Sequence, residues 1–434
     1  MVKIRKITID GFANIDKVTL SLSNLCALLA YNNYGKSNIL KAISFGIKFI
    51  TIGSQARRMY ARRHYNSIPI NKKTAGRLFE FEIELETTQG EDNSIISYEY
   101  KLAWPTETSD AHIVSELLKI KESTISKNKK HFTREEQSCL YLPTPSGRCS
   151  SKIEIEDFQL ALEKLSNYDN LFYIQTIKEI LNLNFIEMNT LADPSTFFRT
   201  ISMRGGRPIQ LSNINSMPSL STCASFAYAL KEENNNKYLL LRDAINQLIP
   251  SIIDFEPVRI DLKEQALRLK ENIDTPFNFP EHIFDIRVLE KNINQQITID
   301  KLSSGTKRIF YILIMAIAAE INKIPLVLIE ELENSIHPSL FQKLLTIIKT
   351  LIGETQVIIT SHSPYILQYI RPELLYIGIP NNSDVAIFKQ IKRSKIKSLM
   401  SDASTYDMNL GDYLFDMMLE IDNDTDELVA KYFE

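Results

Sequence analysis

The segment from Ala30 to Ser37 has the residue types that bind phosphate groups. Its sequence is AYNNYGKS, which ends in a glycine, a lysine and a serine. In such a loop the backbone N–H groups surround phosphate oxygens, the lysine (Lys36) neutralises the outer phosphates and the serine hydroxyl (Ser37) is a ligand for Mg²⁺. Glycine normally occupies the first position, where Ala30 stands, and a methyl group there introduces strain if φ is positive. We therefore expect phosphate binding with some strain at Ala30.

The elements that flank this phosphate loop support the prediction. Residues 25–29 form a short apolar run typical of a buried strand, and residues 36–50 place apolar side chains at helical spacing. The loop therefore precedes a helix whose N-terminus favours anions. Taken alone, a chance Gly-Lys-Ser in an ordinary strand–turn–helix remains an alternative.

Two adjacent acids, Glu330 and Glu331, follow the strongly apolar run at residues 325–329. The end of a strand in an open α/β sheet is the place where ligands are bound. Adjacent residues of an extended strand point to opposite faces, so two acids can take different roles only where the strand is ending. We expect Glu330 to hold Mg²⁺ and Glu331 to act as the general base. Two solvated acids at the end of a strand are the alternative.

Two further motifs supply groups that recognise phosphate. His362 follows another apolar run, residues 355–360, and could hydrogen-bond a terminal phosphate, although a histidine in that position is commonly structural. Ser303, Ser304 and Gly305 precede an apolar helix at residues 306–321 and present a second anion-binding N-terminus, or simply an N-cap. A second anion site in a chain with one phosphate loop is useful if it serves ATP bound to another copy. The four motifs together predict an ATP-binding protein.

Composition indicates a globular protein of more than one domain. With 434 residues, 44% hydrophobic and 24% charged, the chain exceeds the usual size of one hydrophobic core. No apolar run is long enough to cross a bilayer, and the N-terminal residues lack the apolar core of a signal peptide. The four cysteines include no Cys-x-x-Cys pair, which argues against a zinc site and a disulfide framework. These features predict a cytoplasmic protein without a membrane partner.

The order of strand and helix patterns predicts four segments. Residues 1–116 combine N-terminal strands, the phosphate loop and an antiparallel β meander. Residues 117–282 are predicted to be a mostly helical insertion, and residues 283–395 alternate strands and helices in the way that builds a parallel sheet. Residues 396–434 are an acidic segment, because residues 401–434 contain ten acids and one lysine. The predicted fold class is α/β, with a mixed β lobe, a parallel phosphate-loop core and a helical insertion.

As an ordered set, the four motifs resemble the ABC-type ATPase head shared by ABC transporters, RecF and the SMC proteins. The fuller segments at residues 32–38, 330–338 and 360–364 resemble more closely the OLD-type ATPases of bacterial antiphage defence. The similarity covers roughly residues 1–116 and 283–380. It extends to the ATPase subunits of two-gene defence systems, AriA of PARIS and PtuA of Septu.

The resemblance implies an ATPase whose two subunits join head to tail, with each ATP between one phosphate loop and the partner's signature segment. Carried over to this chain, the nucleotide-binding residues are Asn32, Asn33, Gly35, Lys36, Ser37 and Asn38 of one copy and Ser303, Ser304 and Gly305 of the other. By the same resemblance Ser37 and Glu330 bind Mg²⁺, while Lys36, Glu331 and His362 act in catalysis, Glu331 on the lytic water and His362 on the γ-phosphate.

The chain departs from the family pattern at three positions, which puts the rate of turnover in question more than binding. Ala30 replaces glycine, Glu330 stands where aspartate is commoner, and Leu332 replaces a usual proline. The glutamine that senses Mg²⁺ in this family is not assigned, and Gln55 and Gln89 are candidates by rough position only.

Any effector is predicted to be a separate polypeptide. Many OLD-type proteins carry a metal-dependent nuclease module of the Toprim type after the histidine motif. Only 72 residues follow His362 here, and their acids lie in an acidic amphipathic segment at residues 406–433. The resemblance then implies a homo-oligomeric ATPase scaffold that controls a separate nuclease or toxin, with DNA or a phage protein as a candidate trigger.

A basic cluster lies within the acid-free stretch from Lys17 to Phe79. Its members are Arg57, Arg58, Arg62, Arg63, Lys72, Lys73 and Arg77, close to Tyr60, His64 and Tyr65. It could bind DNA phosphates, dock the acidic segment of a neighbouring copy, or be a solvated loop. Weaker basic patches are formed by Lys127, Lys129 and Lys130, and by Arg204 and Arg207.

Three functions therefore remain open. The first is an ATPase that switches a defence effector, and the second is a DNA repair ATPase of the RecF or SMC kind. The third is a scaffold that binds ATP without hydrolysing it. Substitution of Glu331 by glutamine separates the first from the third, and the nature of the neighbouring gene separates the first from the second.

Overall fold

The structure is a computed structural model that describes residues 2–89, 92–122, 128–188, 200–201, 223–261, 282–334, 336–379, 381, 383–419 and 431–433. The chain divides into two compact units. The first unit contains residues 1–185 and 356–434, and the second contains residues 186–355.

Strands and helices are numbered here in chain order. The strands are β1 (Val2–Asp10), β2 (Val18–Ser21), β3 (Leu25–Leu29), β4 (Phe79–Gln89), β5 (Asp92–Ala103), β6 (His112–Glu122), β7 (Lys129–Glu135), β8 (Ser138–Tyr141), β9 (Ser151–Glu154), β10 (Phe185–Met188), β11 (Thr200–Ile201), β12 (Ile252–Asp261), β13 (His282–Glu290), β14 (Ile297–Thr298), β15 (Leu326–Ile329), β16 (Gln356–Ser361), β17 (Leu375–Gly378) and β18 (Phe388–Gln390). The α-helices are α1 (Lys36–Thr51), α2 (Ser54–Arg63), α3 (Ala161–Leu165), α4 (Ile174–Leu181), α5 (Cys223–Glu233), α6 (Asn235–Leu248), α7 (Ser304–Ile321), α8 (Pro338–Leu351), α9 (Ile396–Thr405) and α10 (Leu410–Leu419).

The first unit contains an eight-stranded antiparallel sheet in the order β2-β1-β4-β5-β6-β7-β8-β9. One face of this sheet is covered by α1. The ring of Phe45 on α1 meets the edge of Phe79 at 4.9 Å between centroids, and Phe49 stacks on Tyr100 at 5.2 Å. These aromatic contacts bury large apolar areas, so they hold the helix that begins at the phosphate loop against the sheet.

The predicted helical insertion is wrong over its first part. The sheet continues through β6, β7, β8 and β9 to Glu154, well beyond the predicted end of the meander at residue 116. The buried residues Leu118 and Ile120 alternate with the partly exposed Lys119, which is the period-2 pattern of a strand with one solvent-exposed face. The abundance of charged residues obscured this alternation. Parts of the predicted insertion, among them Arg204 and Arg207, lie outside the described residues.

A second sheet in the first unit positions the phosphate loop. In it β3 pairs in parallel with β16 on one side and with β17 on the other, and β18 pairs antiparallel with β17. All five residues of β3 are buried. Because parallel strands end at the same edge, the segments that follow β3 and β16 lie side by side.

The C-terminal segment folds onto the first unit. The N–H of Lys392 donates to the main-chain oxygen of Tyr432 at 2.8 Å, and Ile391 bridges to Phe433. Within the predicted amphipathic segment, α10 is helical, and residues 420–430 lie outside the described part of the chain.

The second unit contains β11, β12 and β13 in one antiparallel sheet, with β13 in the centre and β14 also paired to it. The long helix α7 is almost wholly buried from Arg308 to Ala319. Strand β15 lies beside β10, and all four of its residues are buried. The expected α/β class, with a β-rich lobe and a parallel phosphate-loop core, is confirmed.

Among the helices that the structure describes, none combines the length and apolar character needed to cross a membrane.

Candidate functional site

The phosphate loop turns sharply between β3 and α1. Asn33 and Gly35 adopt left-handed backbone angles, with φ of 63° and 85°. Gly35 is the N-cap of α1, and an added Cβ there would lie 2.5 Å from the Cβ of Ala386. A glycine is therefore required at position 35 by both its φ and its close neighbour.

The strain expected at Ala30 is absent. Its φ is not among the positive values, which within this loop belong to Asn33 and Gly35. Ala30 is fully buried, and its methyl group faces Gly378 of β17, where an added Cβ would lie 2.6 Å from that methyl. The loop has alanine where glycine is usual, and the glycine at position 378 of the neighbouring strand leaves room for its methyl group. The prediction of strain at Ala30 was wrong.

Lys36 is buried and turned into the loop. It is 5% exposed, and its ammonium donates to the main-chain oxygens of Ala30 at 2.7 Å and Tyr31 at 2.6 Å. Burial of an ammonium group is costly unless it is paired. A cation held inside a loop of main-chain N–H groups at a helix N-terminus fits an anionic ligand.

Side chains around the loop tie it to distant parts of the first unit. The amide of Asn38 donates to Oδ1 of Asn14 at 2.8 Å, so Asn38 contacts the segment between β1 and β2. The hydroxyl of Tyr34 donates to the main-chain oxygen of Ile379 at 2.5 Å and accepts from Asn381 at 3.2 Å. Burial raises the pKa of Tyr34 to about 12, which keeps it a neutral donor.

His362 lies at the same edge of the sheet as the phosphate loop. Ser361 pairs in parallel register with Leu29, and the N–H of Ala30 approaches the oxygen of Ser361 at 3.4 Å. The side chain of His362 is exposed. The structure therefore brings His362 and the phosphate loop to one edge of one sheet, as expected of adjacent parallel strands.

The two adjacent acids lie in the second unit, where β15 ends at Ile329. Glu330 is 7% exposed, and its N–H donates to the oxygen of Met188 at 2.9 Å. Glu331 has a φ of 44°, so the chain leaves the extended conformation between the two acids. This break is the condition under which the two carboxylates can serve different roles.

The signature segment, Ser303 to Gly305, forms the start of α7. Ser303 is the N-cap, and its hydroxyl accepts from the N–H of Thr306 at 3.2 Å. The side chains of Ser303 and Ser304 are exposed. An exposed N-terminus of an 18-residue helix is available to an anion, while Ser303 also caps the helix.

A Mg²⁺ site is compatible with these residues. Within the described ranges, no group of three or more His, Cys, Asp or Glu could hold a metal ion. Mg²⁺ bound with a nucleotide does not need one, because it keeps water and phosphate oxygens and takes only one or two protein ligands. The predicted ligands Ser37 and Glu330 carry a hydroxyl and a carboxylate, and each is an oxygen donor of the kind that Mg²⁺ accepts.

One member of the basic cluster, Arg57, is buried at 1% exposure and is not available to DNA or to a neighbouring copy. Its partners are the main-chain oxygens of Phe49, Ile50 and Phe158 and the carboxylate of Glu163, at 2.5–3.2 Å. Arg57 therefore joins α1, α2 and α3 and takes no part in a surface.

Other members of the basic cluster are paired with acids from outside the acid-free stretch. These ion pairs are Arg58–Asp110, Arg62–Asp110, Lys73–Asp16 and Arg77–Asp16, with nitrogen–oxygen distances of 2.6–2.9 Å. Five of the seven cations in the cluster are thus engaged within the chain, which favours a structural role over DNA binding. Lys127 of the weaker patch lies outside the described residues.

Sequence reasoning assigned no role to Arg308, Tyr31 or Tyr34, which all contact the predicted site. A buried arginine in the apolar pattern of α7 is a signal that could have identified Arg308. The Mg²⁺-sensing glutamine stays unassigned. Gln55 is exposed on α2, and the side chain of Gln89 lies outside the description.

Comparison with known protein families decides the class of the chain. The family described as "AAA domain, putative AbiEii toxin, Type IV TA system" matches residues 144–368, more than half of the chain. The chain belongs to this AAA family. The matched range contains the signature segment, Glu330, Glu331 and His362, and it begins after the phosphate loop. Membership of this AAA family confirms the predicted nucleotide-binding ATPase class.

Relatives and solved structures add three similarities. The Septu protein PtuA of Bacillus thuringiensis is 33% identical over 118 residues, which cover 24% of this chain and 29% of PtuA. The match therefore spans less than a third of PtuA. An SMC head bound to the C-terminal winged-helix domain of ScpA has a TM-score of 0.47 at 14% identity, covering 91% of this chain and 99% of that one. The recombination mediator protein RecF has a TM-score of 0.41 at 14% identity, covering 89% and 98%.

Proposed function

We propose that this chain is an ATP-hydrolysing switch subunit of a bacterial antiphage defence complex. In this proposal it dimerises around ATP and controls a separately encoded effector, a nuclease or a toxin. The observation that carries ATP binding is the buried ammonium of Lys36, held by two main-chain oxygens inside a loop that opens α1. The similarity to PtuA supports the defence setting and a partner effector.

The proposed reaction gives each predicted catalytic residue its own role. Glu331 accepts a proton from water while the water oxygen bonds to the γ-phosphorus and the bond to the β-phosphate oxygen breaks, giving ADP and phosphate. Lys36 and His362 stabilise the charge that develops on the γ-phosphoryl oxygens. Mg²⁺, held by Ser37 and Glu330, would neutralise and orient the phosphates.

The proposed dimer completes each site with a second copy. The exposed Ser303 and Ser304 and the partly buried Gly305 at the N-terminus of α7 would contact the nucleotide held by the other copy's phosphate loop. The positive end of a helix dipole favours the γ-phosphate, so ATP would bring the copies together more strongly than ADP. Hydrolysis would then weaken the assembly and change its hold on the effector.

ATPase activity and assembly can be tested together on purified protein. We expect phosphate release in Mg²⁺ and ATP, and an increase in mass by light scattering when ATP is added. Lys36→Ala should lose nucleotide binding, whereas Glu331→Gln should bind ATP, stay assembled and release little phosphate. Lys41→Ala, an exposed lysine on α1, is the matched control and should behave as the wild type. A monomer at saturating Mg-ATP, or full turnover by Glu331→Gln, would contradict the proposal.

Control of an effector needs a second experiment. The protein encoded by the neighbouring gene should be co-expressed and co-purified with the wild type and with Glu331→Gln. We expect ATP-loaded Glu331→Gln to retain a nuclease or toxin that the wild type releases during turnover. A neighbouring protein that binds both forms equally, with or without ATP, would contradict control by the ATPase cycle.

A further inference from the structure

Arg308 joins the signature helix to the two acids within the second unit. It lies one turn into α7 and is 7% exposed. Its Nη2 donates to the main-chain oxygen of Glu330 at 2.8 Å and to that of Glu331 at 2.8 Å. One nitrogen thus holds two consecutive carbonyl groups at the point where β15 ends.

This double contact coincides with an unusual backbone conformation. Glu331 has a φ of 44°, in the left-handed region that residues with a Cβ rarely adopt. Such a conformation persists where the surroundings over-determine it, and it is common at functional sites. Two hydrogen bonds from one buried donor are a constraint of that kind, so Arg308 stabilises the turn that separates the two carboxylates.

The hydrogen bonds of Arg308 differ from those of purely structural arginines in this protein. Arg57 and Arg134 are buried, and each donates from Nε and from both terminal nitrogens. Arg308 Nε is buried and has no hydrogen-bond partner among the described residues. An unsatisfied buried donor destabilises the folded state. The hydrogen bonds of Arg308 are therefore directed at the carbonyl groups of the two acids, at the expense of its Nε donor.

Charge reinforces this arrangement. Burial lowers the pKa of Arg308, and the carboxylates of Glu333, Glu331 and Glu330 oppose that effect. Arg308 is therefore a buried cation that is stabilised by the negative charge of the acids following β15.

We propose that Arg308 is a positioning residue for the hydrolytic step. It fixes the main chain at Glu330 and Glu331, so that the Glu331 carboxylate is held in the direction from which it accepts the proton of water. Ser303 caps the helix that carries Arg308. Contact of the signature segment with a partner's nucleotide would therefore affect, through this helix, the turn at Glu330 and Glu331. This inference rests on the proposed function, since it assigns Arg308 to act through Glu331.

The test compares Arg308→Met, Arg308→Lys, Glu331→Gln and the double variant Arg308→Met/Glu331→Gln. We expect Arg308→Met to lower kcat by about 10- to 100-fold, because small displacements of a catalytic group have effects of that size. Nucleotide affinity, measured with a fluorescent ATP analogue and Mg²⁺, should change by less than about threefold, since a positioning residue affects the reacting geometry more than binding. Arg308→Lys retains a donor and should recover part of kcat.

The double variant separates positioning from a general loss of structure. If Arg308 acts through Glu331, adding Arg308→Met to Glu331→Gln should leave the residual rate of Glu331→Gln unchanged, because residues that act as a unit are not additive. Arg287→Met, an exposed arginine of β13, is the control and should match the wild type.

Each result decides the inference. Unchanged kcat in Arg308→Met, or a further loss of rate in the double variant, overturns it. If circular dichroism shows that Arg308→Met is unfolded, the Arg308→Lys variant decides. A wild-type kcat in Arg308→Lys overturns the inference. A nucleotide affinity that falls in Arg308→Lys by as large a factor as kcat also overturns it. If Glu331→Gln itself keeps full turnover, the proposed base is wrong. If Glu331→Gln is inactive and Arg308→Met is not, the proposed function stands and only the positioning role fails.

Discussion

Tyr31 of the phosphate loop and Phe415 of α10 are joined by two contacts. The Tyr31 hydroxyl donates to the main-chain oxygen of Phe415 at 2.7 Å, and the two rings meet edge to face at 5.0 Å between centroids. Burial raises the pKa of the Tyr31 hydroxyl, and the nearby carboxylate of Asp416 adds to this effect, so the hydroxyl stays a donor. The main-chain oxygen of Tyr31 accepts from Lys36. Tyr31 therefore links the acidic C-terminal segment to Lys36, the predicted phosphate-binding residue.

Substitution Phe415→Ala should weaken nucleotide binding. The ring contact holds Tyr31, so its loss frees the loop and adds an ordering cost to binding. We expect affinity for a fluorescent ATP analogue to fall by about three- to tenfold. Tyr406→Ala, at an exposed residue of the same C-terminal segment, is the control. Equal or tighter binding by Phe415→Ala would show that the contact does not organise the loop.

Substitution Gly378→Ala should destabilise the protein, because the new methyl group would lie 2.6 Å from the Cβ of Ala30. Overpacking of a core position typically costs about 1–3 kcal/mol in the free energy of unfolding. The double variant Ala30→Gly/Gly378→Ala removes the clash and should recover most of that loss. Urea denaturation of the wild type, both single variants and the double variant measures the coupling. Additive effects would mean that the two residues do not share this space.

Substitution Tyr34→Phe should lower the free energy of unfolding by about 1 kcal/mol, the usual net value of one hydrogen bond. Burial raises the pKa of Tyr34 from 10.0 to about 12, so the folded state keeps a proton that the unfolded state loses. The contribution is therefore complete below pH 10 and is lost as the pH rises through about 12. Urea denaturation at pH 9, 10 and 11 should show a steeper loss in the wild type than in Tyr34→Phe. If the free energy of unfolding of the two proteins depended on pH in the same way, the Tyr34 hydroxyl would not be the cause of the loss.

Substitution Arg57→Met should be strongly destabilising, although Arg57 belongs to the basic cluster. Arg57 is buried and bonds three main-chain oxygens and Glu163, so its removal leaves several groups unsatisfied. We expect a loss of about 3 kcal/mol or more in the free energy of unfolding. Arg62→Met breaks an exposed pair with Asp110 and should change it by less than about 1 kcal/mol. Similar losses in the two variants would contradict the structural role of Arg57.

Several elements could be predicted from sequence because their signals are local. The strand at residues 25–29 and the start of α1 at Lys36 were predicted at the observed residues. The apolar run that ends at Ile329 and the small residues that begin α7 were likewise correctly placed. Each signal lies within a few residues of the feature it predicts, so no knowledge of the fold was needed.

Other expectations failed because the deciding partners are distant in sequence. Strain at Ala30 was expected from a local rule, but Gly378 leaves room for the methyl group. Arg57 looked like part of a basic surface, but its partners Phe158 and Glu163 lie more than 100 residues away. The strands over residues 117–154, from β6 to β9, were expected to be helical, because the charged side chains on their solvent-exposed face hide the alternation of buried and exposed residues.

The order of residues alone was enough to predict the strand, loop and helix of the phosphate-loop motif, since these three elements are contiguous in the chain. Only the tertiary structure decided which side chains surround the phosphate loop and the two acids. Tyr31 and Phe415 are 384 residues apart, and Arg308 reaches the oxygen of Glu331 across 23 residues, so neither contact has a local signature. Contacts of this kind depend on how helices and strands pack, because packing alone brings such residues within hydrogen-bond distance.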